Sequence, residues 1–285
     1  MTPPPPDGSR DRRIEDPSNL HLIHPAGRAL LPFALARRIS ANSVSVAGLC
    51  LGGAAAFAYT QWDRPIFALI GLLFSIGWLI ADGLDGMVAR ATNTASALGR
   101  ALDGMCDHGV FALIYISLAM SIGTMEAWIL ALTAAAAHAV QSSLYEGERA
   151  RYHRRAKGIA LDAPPAPTGP FLVRVYDSVA GSLDRVSMPF ERWMGRSTDP
   201  AATGRIYAAA AAPVMKFMAL LTANMRVWTI CIACLIGNPR IFWWVEIVPM
   251  TLIVAAGIVL NRRVERRLSG GIAASTFLSN EQGNS

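Results

Sequence analysis

Charge is scarce in this chain. Of 285 residues only 16% are Asp, Glu, Lys or Arg while 53% are hydrophobic, and the mean hydropathy is +0.34. That balance excludes an ordinary soluble globular protein. Cysteine is also sparse: four residues make no disulfide framework, and the single CxxC, Cys231 and Cys234, sits in an apolar run without a further Cys or His nearby. Packing is the plain reading of that pair, ahead of zinc or redox chemistry. The opening MTPPPPDGSRDRR has no apolar core of the signal-peptide kind, so no cleaved leader is expected. Neither an internal repeat nor a fused soluble catalytic domain is evident.

What the chain has instead is apolar length. Windows at about 42–61, 65–88, 101–122, 127–146, 206–236 and 241–261 each approach or exceed the roughly 20 residues that cross a bilayer. The expectation is an all-α membrane protein with six transmembrane helices. Residues 1–18 are expected to be a disordered cytoplasmic tail, 19–41 an amphipathic helix lying on the membrane, 42–267 the six-helix domain with a loop over about 149–203, and 268–285 a C-terminal tail. Lys and Arg divide twenty-two to two between the two sets of connecting segments, only Arg64 and Arg240 falling on the poorer side. The positive-inside rule then puts both termini and the long loop in the cytoplasm, at the inner membrane if the source is bacterial. The excess of 26 basic over 20 acidic residues is a matter of topology and anionic lipid, not of nucleic acid.

Four carboxylates stand out against this background. The stretch ADGLDGMVARATNTASALGRALDGMCDHG puts Asp82, Asp85, Asp103 and Asp107 between two apolar flanks. On a helix Asp82, Asp85, Gly86, Ala89 and Arg90 share a face, and Gly99, Asp103 and Asp107 share another at i, i+4 and i+8. A charge at the bilayer centre costs on the order of 3 kcal/mol, less near a helix end, so four clustered acids need neutralising. Oxygen-only ligands suit Mg²⁺, Mn²⁺ or Ca²⁺, and four Asp are enough for a pair of ions. The stripes lack the His and Cys that zinc prefers. A solvated helix end is the bland alternative, which the flanking apolar runs make poor.

Written out, the spacing is D-x2-D-G-x2-A-R-x8-G-x3-D-x3-D, filled by Asp82, Asp85, Gly86, Ala89, Arg90, Gly99, Asp103 and Asp107. It resembles the signature of the CDP-alcohol phosphotransferase family, integral membrane enzymes that make phospholipids from CDP-linked lipids. The resemblance implies Asp82, Asp85, Asp103 and Asp107 as ligands of two Mg²⁺ or Mn²⁺ ions, with Asp107 also the general base. It implies that Gly86, Ala89, Arg90 and Gly99 surround the CDP moiety. Asn42, where relatives carry Pro-Asn, becomes a nucleotide-pocket candidate, although helix capping by Asn42 or Ser40 reads equally well. His108 departs from the Lys or Arg often found after the last Asp of the signature.

The partners implied are a CDP-linked lipid, CDP-diacylglycerol first, and an alcohol acceptor, with CMP released. Homodimers are frequent in the family. Arg149 and Arg151, in the cluster after the fourth window, together with Arg226 in the fifth, are candidates for a phosphorylated acceptor such as inositol phosphate or glycerol phosphate. An unphosphorylated acceptor, serine, choline or inositol, is the alternative, and for the arginine cluster a purely topological role carries equal weight. From another class, a cation transporter could use the same four Asp, but its ions would sit at the midplane and not at helix ends.

Overall fold

The computed structural model describes residues 11–94, 97–163 and 184–282; the side chains of 97–105, 107 and 271–282 lie outside that description. Every regular element described is helical. A π turn over Asn19–Ile23 runs into α1 (His24–Ala36), followed by α2 (Ala41–Tyr59), α3 (Pro65–Ala91), α4 (Ala97–Ile122) and α5 (Met125–Ala156). Next come α6 (184–195), α7 (Pro200–Met218) closed by a 3₁₀ turn at Ala219–Leu221, α8 (Ala223–Leu235), α9 (Arg240–Val245), a π segment at Glu246–Met250 and α10 (Thr251–Gln282).

Five stretches are long and apolar enough to cross a membrane: Ala41–Tyr59, Pro65–Ala91, Met125–Ala156, Pro200–Leu221 and Arg240–Gly270. His108–Ile122 and Ala223–Leu235 are shorter apolar helices among the described residues. The window 206–236 is therefore not one over-long helix. Thr222 adopts extended backbone with ψ of 156°, so α7 ends in the 3₁₀ turn and α8 starts afresh. The apolar pattern runs straight through this break, which is why hydropathy conceals it.

The chain divides into two compact units, Met1–Ala139 with Thr222–Pro249 and Val140–Leu221 with Met250–Ser285. In the first, α2, α3, α4, α8 and α9 contribute to an apolar core that includes Tyr59, Trp78, Phe111, Tyr115 and Trp243. Trp78 meets Phe111 edge-on at 5.3 Å, and Tyr115 stacks on Phe242 at 5.3 Å. Helix α2 comes so close to α4 that a Cβ at Gly52 would overlap the methyls of Val110. Small residues at such crossings are how apolar helices gain contact when lipid is as apolar as their own side chains. Helix α1 packs Leu31 and Ala34 against Val44 of α2 and Ala81, Leu84 and Val88 of α3.

Part of the stretch expected as a tail is packed in this unit. Ile14, Glu15 and Asp16 are buried, and Asn224 of α8 donates to both carboxylate oxygens of Asp16 at 3.0 and 3.1 Å. Trp228 donates to Ser18 Oγ at 3.1 Å. Tyr115 and His138, both buried, share a hydrogen bond of 3.2 Å. Cys231 and Cys234 are buried and free, as packing residues would be.

The second unit is tied by ions. Glu148 pairs with Arg151 at 2.8 Å and Arg262 at 2.6 Å. Arg155 pairs with Glu191 at 2.7 Å and Glu265 at 2.6 Å. Arg151 reaches Asp184 at 3.0 Å, and Arg154 reaches Glu191 at 2.7 Å. Since Asp184 and Glu191 belong to α6, these pairs fix which side of that helix faces α5.

Candidate active site

Helix α3 carries the first acidic stripe and stops just beyond it. Its end is a Schellman closure: Thr94 N–H bonds to Ala89 O at 2.9 Å and Asn93 N–H to Arg90 O at 3.3 Å, around Asn93 in the left-handed region at φ +53°. Asparagine tolerates that conformation better than most residues. The helix is thereby closed about two turns past Asp85, and α4 starts at Ala97. Asp103 and Asp107 lie on α4, as does Gly99. Their side-chain positions lie outside the described residues.

Asp85 is buried at 5% exposure and accepts a 2.5 Å hydrogen bond from Ser45 Oγ of α2. A hydroxyl donating to a carboxylate is a charge-assisted bond, and it fixes the carboxyl's rotation inside the unit. Asp82, one turn earlier, is half-buried. Arg90 is exposed and folds back along its own helix, so that a Cβ at Gly86 would lie 3.3 Å from Arg90 Nη1. The bare Cα of Gly86 thus leaves the guanidinium room to lie against the helix.

Asn42 is exposed in the first turn of α2. It does not cap the helix: Ser40 does, accepting from Ser43 N–H at 3.1 Å. Ala89 is half-buried on α3. Among the basic candidates, Arg149 lies 3.5 Å from Glu146 and is partly exposed. Arg151 is buried between Glu148 and Asp184. Arg226 is also buried, hydrogen-bonded from Nε and Nη2 to Glu246 Oε1 at 3.0 and 2.9 Å. Beside this pair Trp243 is fully buried, as is Glu246 itself, while Trp244 is exposed.

Ser45 is the site residue that sequence reasoning passed over. Its signal is a hydroxyl one turn inside an apolar helix, where a polar group needs a partner.

The described part of the constellation offers only oxygen ligands, the carboxylates of Asp82 and Asp85 and the hydroxyl of Ser45, a set that suits a hard divalent ion better than zinc. Among the described residues no three His, Cys, Asp or Glu side chains gather as a metal site; the two carboxylates of α4 are not among them.

No curated protein and no solved structure matches the chain. A family model described as CDP-alcohol phosphatidyltransferase does, over residues 38–237, a stretch that runs from the end of α1 to the end of α8 and contains both acidic stripes. The chain belongs to the CDP-alcohol phosphatidyltransferase family.

Proposed function

We propose that the protein transfers a phosphatidyl or similar phospho-lipid group from a CDP-linked lipid, CDP-diacylglycerol first, to an alcohol, releasing CMP. The family's chemistry is head-group transfer from a CDP-alcohol. One observation carries the reading to this site: the eight signature positions fall on two consecutive helices, five on the last turns of α3 and three on the first turns of α4.

In this reading Asp107 takes the proton of the acceptor hydroxyl as its oxygen bonds to the lipid-side phosphorus of the diphosphate. The bond from that phosphorus to the bridging oxygen breaks, and CMP leaves with the electron pair. Arg90, lying along α3 over Gly86, donates to phosphate oxygens as a fork. Asp82, Asp85, Asp103 and Asp107 would hold two Mg²⁺ or Mn²⁺ ions, which when bound neutralise charge on the diphosphate. Ser45 keeps Asp85 in one rotamer for that task. Asn42 and Gly99 are assigned to the nucleotide.

For the acceptor we favour a phosphorylated polyol, inositol phosphate or glycerol phosphate, with Arg149, Arg151 and Arg226 as the basic residues to test. In this reading α4 joins the five long apolar stretches to make six crossings, and the excess of Lys and Arg in the segments that hold both termini and the acidic stripes makes that side cytoplasmic. The π turn and α1 then lie along that surface, their exposed Leu22, Leu30 and Phe33 toward lipid.

The test is CMP release from CDP-diacylglycerol by the purified protein with Mg²⁺ or Mn²⁺, screened over candidate alcohols. Release that needs one alcohol and the metal, and is lost in Asp107→Asn, supports the reading. Release unaffected by Asp107→Asn refutes the assignment of the base.

A further inference from the structure

Helix α6 has two chemically opposite faces. Ser187, Met188, Phe190, Glu191 and Met194 are buried, and its two acids are both spent on α5: Asp184 on Arg151, Glu191 on Arg154 and Arg155. Arg185, Pro189, Arg192 and Arg196 are exposed, at positions i, i+4, i+7 and i+11 of one stripe, with half-buried Trp193 beside them and Val186 exposed at 61%. None of the three arginines has an ion pair among the described residues. The outward face therefore carries three cations, an indole edge and no acid.

The level of the helix says what this face meets. Phe190 packs on Tyr207 at 5.6 Å between ring centroids, and Tyr207 stands at the start of the apolar run that follows Arg205 in α7. Ser187 hydrogen-bonds Glu265 at 3.5 Å, and Glu265 lies four residues past the apolar window 241–261, among Arg262, Arg263, Arg266 and Arg267. α6 thus runs alongside the ends of two apolar helices. That is the level of the head-group layer, roughly 5 to 8 Å thick on each side of the hydrocarbon.

We infer that the Arg185, Arg192, Arg196 and Trp193 face of α6 binds anionic lipid head groups of the leaflet beside it. Arginine presents forked donors to phosphate oxygens, and tryptophan favours the interface between hydrocarbon and water. The ion pairs of Asp184 and Glu191 hold the helix in the rotation that keeps the acids in and the arginines out. The inference does not rest on the catalytic reading, and its failure would leave that reading untouched.

The full chain in nanodiscs tests it, with Trp193 as the probe: its share of the fluorescence is the difference between the protein and Trp193→Phe. Brominated phosphatidylglycerol is expected to quench that share several-fold more than brominated phosphatidylcholine, since an arginine near an anionic surface enriches such lipid about fivefold. The preference should vanish in the Arg185→Gln, Arg192→Gln, Arg196→Gln variant, whose substitutions are all exposed and leave the ion pairs intact. Equal quenching by the two lipids, or none, overturns the inference. So does a preference abolished by millimolar glycerol phosphate, which would mark a soluble-anion site. A changed oligomeric state in the triple variant with unchanged quenching would assign the face to a second copy and overturn it as well.

Discussion

Ser45 and Asp85, forty residues apart, are joined by a 2.5 Å hydrogen bond that ties α2 to the acidic end of α3. A hydrogen bond to a charged group contributes about 1.5–3 kcal/mol, and most of that is lost when the donor is removed. Ser45→Ala should lower metal-dependent CMP release about tenfold, a change of about 1.4 kcal/mol. It should also raise the Mg²⁺ concentration needed for half-maximal rate. A metal titration of the two proteins checks this, and superimposable curves would show that Asp85 is held by something else.

Gly86 has a different dependence. An added Cβ would lie 3.3 Å from Arg90 Nη1, the far end of a flexible side chain that can swing aside. Gly86→Ala should therefore leave the thermal midpoint nearly unchanged while reducing CMP release, because it moves the guanidinium and not the helix. If activity and thermal midpoint fall together, Gly86 matters for packing and not for placing Arg90.

The first acidic stripe could be read in letters because a helix turns a spacing of three or four residues into a shared face, and Asp82, Asp85 and Arg90 do occupy one helix. The apolar windows located most helices for the same reason. Three features escaped. The break at Thr222 lies inside an unbroken apolar run. Ser45 needed knowledge of which residue faces it across α2 and α3. The arginines after the fourth window looked available to a ligand, since sequence shows their charge but not the carboxylates of Asp184 and Glu191 that arrive from a distant helix.

Gly52 gives a packing prediction. Alanine there would overlap the Val110 methyls and push α2 from α4, a strain of about 1–3 kcal/mol for overpacking of this kind. Gly52→Ala should lower the thermal midpoint in detergent by several degrees. Adding Val110→Ala should recover a good part of the loss, and failure to do so would place the strain elsewhere.

Glu191 yields a pH dependence. Burial pushes its carboxyl up, but bonds from Arg154, the charge of Arg155 and the Leu161 N–H together outweigh burial and hold it at about 2, below the usual 4.5. A carboxyl depressed in the folded state stabilises above its unfolded value and loses that contribution as pH falls toward the folded one. The docking of α6 should accordingly hold at pH 5 and above and weaken between about pH 4.5 and 2. Amide hydrogen exchange over 184–195 measures this. Glu191→Gln should show raised exchange already at pH 7, with little further change on acidification.

Arg226 and Glu246 set the last test, because a buried ion pair and an acceptor ligand respond oppositely to the same substitutions. The two are wholly enclosed in the first unit and bonded at 2.9 Å. Removing one partner of a buried pair costs about 3–5 kcal/mol by leaving the other charge uncompensated, whereas replacing both with apolar residues is often neutral. Glu246→Gln should therefore reduce the thermal midpoint sharply, and Arg226→Met with Glu246→Met should restore most of it. CMP release by the double variant then decides what Arg226 is for. An unchanged KM for the acceptor makes the pair a device of packing, while a KM raised tenfold or more with the fold restored makes Arg226 an acceptor ligand.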